Sequence, residues 1–299
     1  MCRQRNLIQT FFLLLLLLFC SHLQAEVTAD FISETGYDKG ILWKVSSSKG
    51  KNSYLFGTIH VEDPRITRLH TRVLRAIQRS KTMSLELIPD PQLQQKAMLA
   101  MLYTDGRTLE KVVGKKLYER SIKAMSERGM PAQVVSLMKP WAVMTILSLP
   151  KPKTGDFLDK VLYKLAKQRG IKTYALETFD EQISVFDALS KRDQVKMLKQ
   201  TLNELNEIPA QFKALKNAWI NRDLALLESL SMQQLESSTS DSSFKENMLD
   251  NRNRTMLERM QPRLKEGRAF IAVGALHLTG KAGLLKLLTQ QGYTVTAVH

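Results

Sequence analysis

Past residue 20 this chain has no cysteine, since Cys2 and Cys20 are the two it contains. Beyond residue 25, disulfides, a cysteine nucleophile and a thiolate metal site are therefore excluded. Long apolar runs are as scarce. Residues 11–20 form the single unbroken one, and ten residues fall short of the roughly 20 that a permanent membrane-spanning helix needs. With Arg3 and Arg5 before it and Leu23-Gln24-Ala25 after it, the run reads as a secretory signal peptide cut after Ala25. The expectation is a periplasmic or secreted protein without a permanent transmembrane helix. An acylated Cys20 is the alternative, opposed by the bulky Leu18 and Phe19 where small residues belong.

Acidic residues are also short in number: 44 Lys and Arg stand against 29 Asp and Glu, a charge of +15. A basic balance attracts nucleic acid, anionic lipid or acidic polymers. Here the basic residues are spread over helical faces, as in Lys160, Lys164, Lys167 and Arg169, without interleaved aromatics. That pattern describes a solvated basic surface. With export it argues against nucleic acid and leaves contact with anionic envelope components open. Also missing are His-Glu-x-x-His, Gly-x-Ser-x-Gly, Gly-x-Gly-x-x-Gly and the phosphate-binding Gly-x-x-x-x-Gly-Lys-Ser/Thr. Thermolysin-type, serine-hydrolase, dinucleotide and NTPase readings thus lose their usual support.

What the chain does have is a repeated tetrapeptide pattern, Gly-x-x-His. One copy ends Tyr54-Leu55-Phe56-Gly57-Thr58-Ile59-His60, and the other ends Phe270-Ile271-Ala272-Val273-Gly274-Ala275-Leu276-His277. Each closes a strand-like run, where a glycine lets the chain turn or approach a neighbour closely. Each histidine is then expected at a strand's C-terminal edge, the place open α/β sheets reserve for ligands. The bland alternative is two unrelated histidines in two strand–turn units. His70, in the polar start of a helix, and the C-terminal His299 read as solvated.

Strand-like runs at 41–46, 53–56, 83–88, 171–176, 269–273 and 293–297 alternate with apolar 3.6-residue periodicity at 67–79, 141–149, 155–168 and 244–265. This predicts one α/β domain over 26–299, with an N-terminal hairpin turning at 47–52 and a sheet covered by helices on both faces. Helical insertions are expected at about 91–138 and 180–235, packed around the sheet and capping a cleft. Residues 236–243, Glu-Ser-Ser-Thr-Ser-Asp-Ser-Ser, are expected to form a mobile loop.

Two carboxylates share the strand-end placement. Glu86 interrupts the apolar run Met83-Ser84-Leu85-Glu86-Leu87-Ile88, and Glu177 follows Tyr174-Ala175-Leu176. A carboxylate among apolar residues is costly unless paired or bound to a cation. His60, Glu86, Glu177 and His277 therefore make a plausible ligand set for a divalent transition metal such as Mn, Co or Zn. A buried salt bridge is the competing role for Glu86. In Leu249-Asp250-Asn251-Arg252-Asn253-Arg254, Arg252 and Asn253 are candidates to orient or polarise a substrate carbonyl.

At this point the chain resembles the TraB/GumN family, whose animal relatives are the Tiki-type metalloproteases. The resemblance rests on Leu42-Trp43-Lys44, the two Gly-x-x-His segments, Ser84-Leu85-Glu86, Lys139-Pro140-Trp141, Leu176-Glu177-Thr178 and Arg252-Asn253, in the family's order. It implies a single α/β domain with a central mixed, largely parallel sheet flanked by many helices. That fold is shared with erythromycin esterase-like and haem-binding ChaN-like proteins. The resemblance also implies a metal-dependent hydrolytic site with His60, Glu86 and His277 at its centre and Glu177, Arg252 and Asn253 in support. A peptide or protein is the implied substrate. The alternatives are a non-catalytic haem-, metal- or peptide-binding protein and a polysaccharide or envelope accessory factor.

Overall fold

The structure is a computed structural model that describes residues 36–151, 154–238 and 242–298. The expected leader, both cysteines and His299 lie outside the described residues. Six strands form one sheet: β1 (Leu42–Ser46), β2 (Asn52–Thr58), β3 (Thr82–Leu85), β4 (Lys172–Ala175), β5 (Ala269–Gly274) and β6 (Thr294–Ala297). Each overlaps one of the six runs expected from the sequence. Their order is β4-β3-β5-β2-β1-β6. β4, β3, β5 and β2 run parallel, while β1 pairs antiparallel with both β2 and β6. The predicted mixed, largely parallel sheet is the one observed.

Burial explains the arrangement. All six residues of β5, Ala-Phe-Ile-Ala-Val-Gly, are buried, as a central parallel strand covered on both faces requires. β1 and β2 form the expected hairpin, in which Leu42 lies opposite Phe56 and Ser46 opposite Asn52. Lys51 O accepts from Ser47 N at 3.0 Å to close the turn.

A second apolar cluster lies apart from the sheet core. Helices from both expected insertion stretches build it, with Leu109, Met125, Trp141, Phe186 and Met197 at its centre and Leu276 contributed from beyond β5. Burying a side chain such as Leu, Phe or Met contributes about 1.5–3 kcal/mol, so this cluster holds these helices together.

Three expected boundaries are corrected. The helix anticipated at 67–79 is two, Pro64–Thr67 and Thr71–Gln78, because extended His70 caps the second by accepting from Arg72 N at 3.2 Å. The pattern at 244–265 is broken into Ser242–Lys245, a π turn Glu246–Asp250 and a helix Asn251–Glu266. Within the loop expected at 236–243, residues 236–238 belong to helix Leu224–Ser238 and residues 242–243 to helix Ser242–Lys245. Residues 239–241 lie outside the described ones.

Candidate functional site

Four strands pointing the same way bring their C-terminal ends to one edge, and the candidate residues follow those ends directly. His60 is two residues past β2, Glu86 one past β3, Glu177 two past β4, and His277 three past Gly274 on the 3-10 turn Ala275–Leu278. Glu86 had been expected within a strand. It lies just beyond one, because β3 stops at Leu85. The ladder nonetheless continues, with Glu177 N donating to Glu86 O at 2.9 Å. Helix Asn251–Glu266 adds Arg252 and Asn253 from the side. All six are buried, from 0% exposed for His277 to 6% for Arg252. Exposed His70 stays outside the cluster as the helix cap described above.

The carboxylates and the arginine form one network. Arg252 grips Glu177 with two bonds, Nε to Oε1 at 2.7 Å and Nη2 to Oε2 at 2.6 Å, and lies 3.4 Å from Glu86 Oε2. Gln182 Nε2 donates to Glu177 Oε2 at 3.0 Å and to Glu86 Oε2 at 3.3 Å. On the other oxygen, Glu86 Oε1 accepts from the backbone N–H of Gly274 at 2.6 Å. Burial lifts the Glu86 carboxyl above the ordinary carboxylate range, and Glu177 adds to the effect against the pull of Arg252. For Arg252, burial works against the charge, but Glu177 outweighs it and the guanidinium pKa is raised.

Each histidine has a side-chain oxygen close behind Nδ1, hydrogen-bonded to His277 and in ion-pair distance of His60. His277 Nδ1 lies 2.6 Å from Asn253 Oδ1, while Asn253 Nδ2 donates to Ala282 O at 2.9 Å. The Asn253 oxygen is then the acceptor, which puts the His277 proton on Nδ1 and the lone pair on Nε2. That Nε2 is buried, has no hydrogen-bond partner, and lies 3.8 Å from Glu86 Oε1. Burial, with Arg252 and His60 acting alike, holds His277 well below its ordinary pKa and so neutral.

His60 Nδ1 is 2.9 Å from Asp159 Oδ2, close but out of line for a full hydrogen bond, and its Nε2 is also buried and unpartnered. Asp159 is itself fixed, accepting from Thr58 Oγ1 at 3.0 Å. Burial lowers the His60 pKa, but the Asp159 carboxylate outweighs it and leaves the imidazole above its usual value.

A small cavity of about 20 Å³ borders His60 and Ser231, enough for one water. Ser231 Oγ is buried in it without a partner.

Asp159, Gln182 and Ser231 were not anticipated from sequence. Asp159 lies among buried Leu158, Leu162 and Ala166 on its helix, and Gln182 between buried Phe179, Ile183 and Phe186. A lone polar residue on the apolar stripe of a helix was the signal available.

The donor chemistry suits a divalent transition metal at two positions. Metal-bound histidines commonly hold their second ring nitrogen against a carboxylate or a carbonyl-type oxygen, and Asp159 and Asn253 supply those oxygens. Among the described residues, however, no group of three or more His, Asp and Glu side chains is arranged to hold an ion. Glu177 spends both oxygens on Arg252, and Glu86 shares its own between Gly274, Arg252 and Gln182.

A model of the TraB/PrgY/gumN family matches residues 41–297. The chain is also similar to the protein named Metalloprotease TIKI2 from Danio rerio, at 25% identity over 315 aligned residues, covering 85% of this chain. It spans about 60% of that relative's length.

Proposed function

The chain belongs to the TraB/PrgY/gumN family, and from that premise we propose that it is an exported metal-dependent hydrolase acting on a peptide or protein. One observation carries the reading. The two Gly-x-x-His imidazoles present buried, unpartnered Nε2 atoms, with Asn253 bonded to His277 Nδ1, Asp159 2.9 Å from His60 Nδ1, and Glu86 against His277. His60 and His277 would hold a divalent transition metal through Nε2, with Glu86 as third ligand or as base. When bound, such a metal polarises a carbonyl and lowers the pKa of water.

The remaining work falls to the chain's own side chains. Glu86, whose carboxyl burial lifts above the ordinary carboxylate range, would accept a proton at Oε1. Arg252 and Gln182 donate to the carboxylate's other oxygen, and Arg252 offsets its charge. Asn253 and Asp159 keep the two rings aimed. The similarity to a metalloprotease supports a peptide or protein substrate.

A second reading, a non-catalytic haem-, metal- or peptide-binding protein in the same place, draws on the engagement of both Glu177 oxygens with Arg252, which leaves that carboxylate no part in catalysis. Turnover separates the two. Protein stripped with chelator and assayed on a peptide library should be inactive and regain activity with Mn, Co or Zn. Elemental analysis of protein purified from its own compartment should show near-stoichiometric metal, lost in His60→Ala. Metal without turnover in any rescue would put the binding reading first.

A further inference from the structure

The edge of the sheet opposite the histidines is basic. A cation stands at the start of each of the four parallel strands: Lys51 directly before β2, Lys81 before β3, Lys172 first in β4 and Arg268 before β5. A second rank, Lys49, Arg79, Arg169 and Lys265, lies two or three residues earlier in the same connections. All eight are exposed. The sheet sets them side by side, since Lys81 N donates to Arg268 O at 2.7 Å, Arg268 N donates to Asn52 O at 2.8 Å, and Thr82 lies opposite Lys172. With neighbouring strands about 4.8 Å apart, the front rank alone spans about 14 Å.

Acid is missing from the same segments. No Asp or Glu occurs in 39–61, 64–85, 160–176 or 267–299, and Glu266, beside the edge, is held by Arg263 at 2.7 Å. Among the described residues none of the eight cations pairs with a carboxylate. The ordinary work of cations in such a place is to answer helix C-termini. Three helices, Thr71–Gln78, Leu158–Gln168 and Asn251–Glu266, end at this edge, and Lys51 Nζ donates to Lys265 O at 3.1 Å. Each helix end presents about half a negative charge, roughly 1.5 together. The cations exceed that several-fold and repel one another, so the surplus calls for counter-charge from outside the chain.

What accompanies the cations selects the partner. Tyr174 in β4 is already engaged by Arg263 at 4.4 Å and Lys172 at 5.3 Å, whereas proteins that hold single-stranded nucleic acid stack its bases on open rings. The exposed large apolar side chains, Met98, Leu99, Val134 and Leu137, lie on the insertion helices and not at this edge, so the contact is electrostatic without insertion. Five of the eight cations are Lys, a point charge suited to a diffuse field more than to pairwise reading of phosphates. Clustered cations of this kind are drawn by the surface potential of anionic lipid. We propose that the N-terminal edge of the sheet docks on an anionic phospholipid surface and holds the histidine edge away from it. The proposal is independent of the hydrolase reading, and its test measures binding in chelator, so the two fail separately.

The exported protein is sedimented with phosphatidylcholine vesicles holding about 30 mol% phosphatidylglycerol, which gives them a negative surface potential. Wild type should bind at about 0.05 M salt, release at about 0.5 M as a screened contact does, and ignore vesicles of phosphatidylcholine alone. Lys49→Gln, Lys81→Gln, Arg169→Gln and Lys172→Gln combined should weaken binding about tenfold or more. Lys111→Gln, Lys116→Gln, Lys123→Gln and Lys196→Gln combined remove the same charge from the insertion helices and should bind as wild type. Lys49→Arg, Lys81→Arg and Lys172→Arg combined keep the charge of the edge and should also bind as wild type. Melting temperatures verify that each variant is folded. Equal weakening in the two Gln variants would mean net charge alone and overturns the proposal. Absence of binding to the anionic vesicles overturns it too, whether or not a soluble acidic polysaccharide binds in their place.

Discussion

Four groups share the two oxygens of Glu86. Gly274 N–H and His277 Nε2 lie against Oε1, at 2.6 and 3.8 Å, while Arg252 and Gln182 approach Oε2 at 3.4 and 3.3 Å. Glu86→Gln keeps the shape and an acceptor for Gly274 but removes the charge. Turnover of metal-loaded protein is expected to fall roughly 10²-fold, a general-base contribution, and melting temperature reads separately the stability lost when the new amide nitrogen faces the donors of Arg252 and Gln182. More than a tenth of wild-type turnover in this variant would remove Glu86 from the base role. The histidines have a thermal readout of their own. A metal that binds only the native state stabilises it by mass action, so chelator should lower the melting temperature of wild type and not that of His277→Ala. His70→Ala should respond to chelator like wild type, since its ring caps a helix away from the cluster.

Helix Phe179–Asp187 ties Gln182 to the site, and its start is fixed by a reciprocal cap. Thr178 Oγ1 accepts from Glu181 N at 3.3 Å, and Glu181 Oε2 accepts from Thr178 N at 2.7 Å. Arg259 bonds the same carboxylate, the largest cause of a Glu181 pKa pushed down to about 2. A depressed carboxyl adds stability above its unfolded value of about 4.3 and loses it as pH falls through the folded one. Urea unfolding should therefore show Glu181→Gln less stable than wild type at pH 7, with the gap narrowing from about pH 4.5 downward. A gap independent of pH would mean that shape, not charge, makes the cap.

Elements like this one were legible to different degrees. The inner strands showed as apolar runs because a sheet covered on both faces leaves little choice of residue, whereas the edge strands β4 and β6 are partly exposed and carry polar residues. Helix breaks at His70 and at the π turn did not show, since both depend on where a side chain or backbone bond lands after folding. The same limit hid Asp159. Its meaning comes from His60, 99 positions earlier, which only the sheet brings to 2.9 Å.

At the scale of the whole molecule, the sheet joins the chain's two ends: β2 and β5 are neighbours, with Gly57 beside Val273. The repeated Gly-x-x-His thus describes two adjacent strand ends, and its first glycine is a joint between them. A Cβ on Gly57 would come 2.8 Å from Leu278 Cδ1 and 3.1 Å from Ala275 Cα, in the 3-10 turn that carries His277. On its other side, the Gly57 carbonyl accepts from buried Trp219 Nε1 at 3.0 Å. The Leu278 methyl can swing aside, but the backbone at Ala275 cannot without moving the turn. Gly57→Ala is therefore expected to cost about 1–3 kcal/mol, as overpacking does. It should also weaken metal binding by at least tenfold, because His277 is displaced relative to His60. Urea unfolding measures the first effect and titration of the chelator-stripped protein with Zn or Mn the second. Lost stability with wild-type metal affinity would mean that Gly57 serves packing alone and that the two histidines keep their spacing by other contacts.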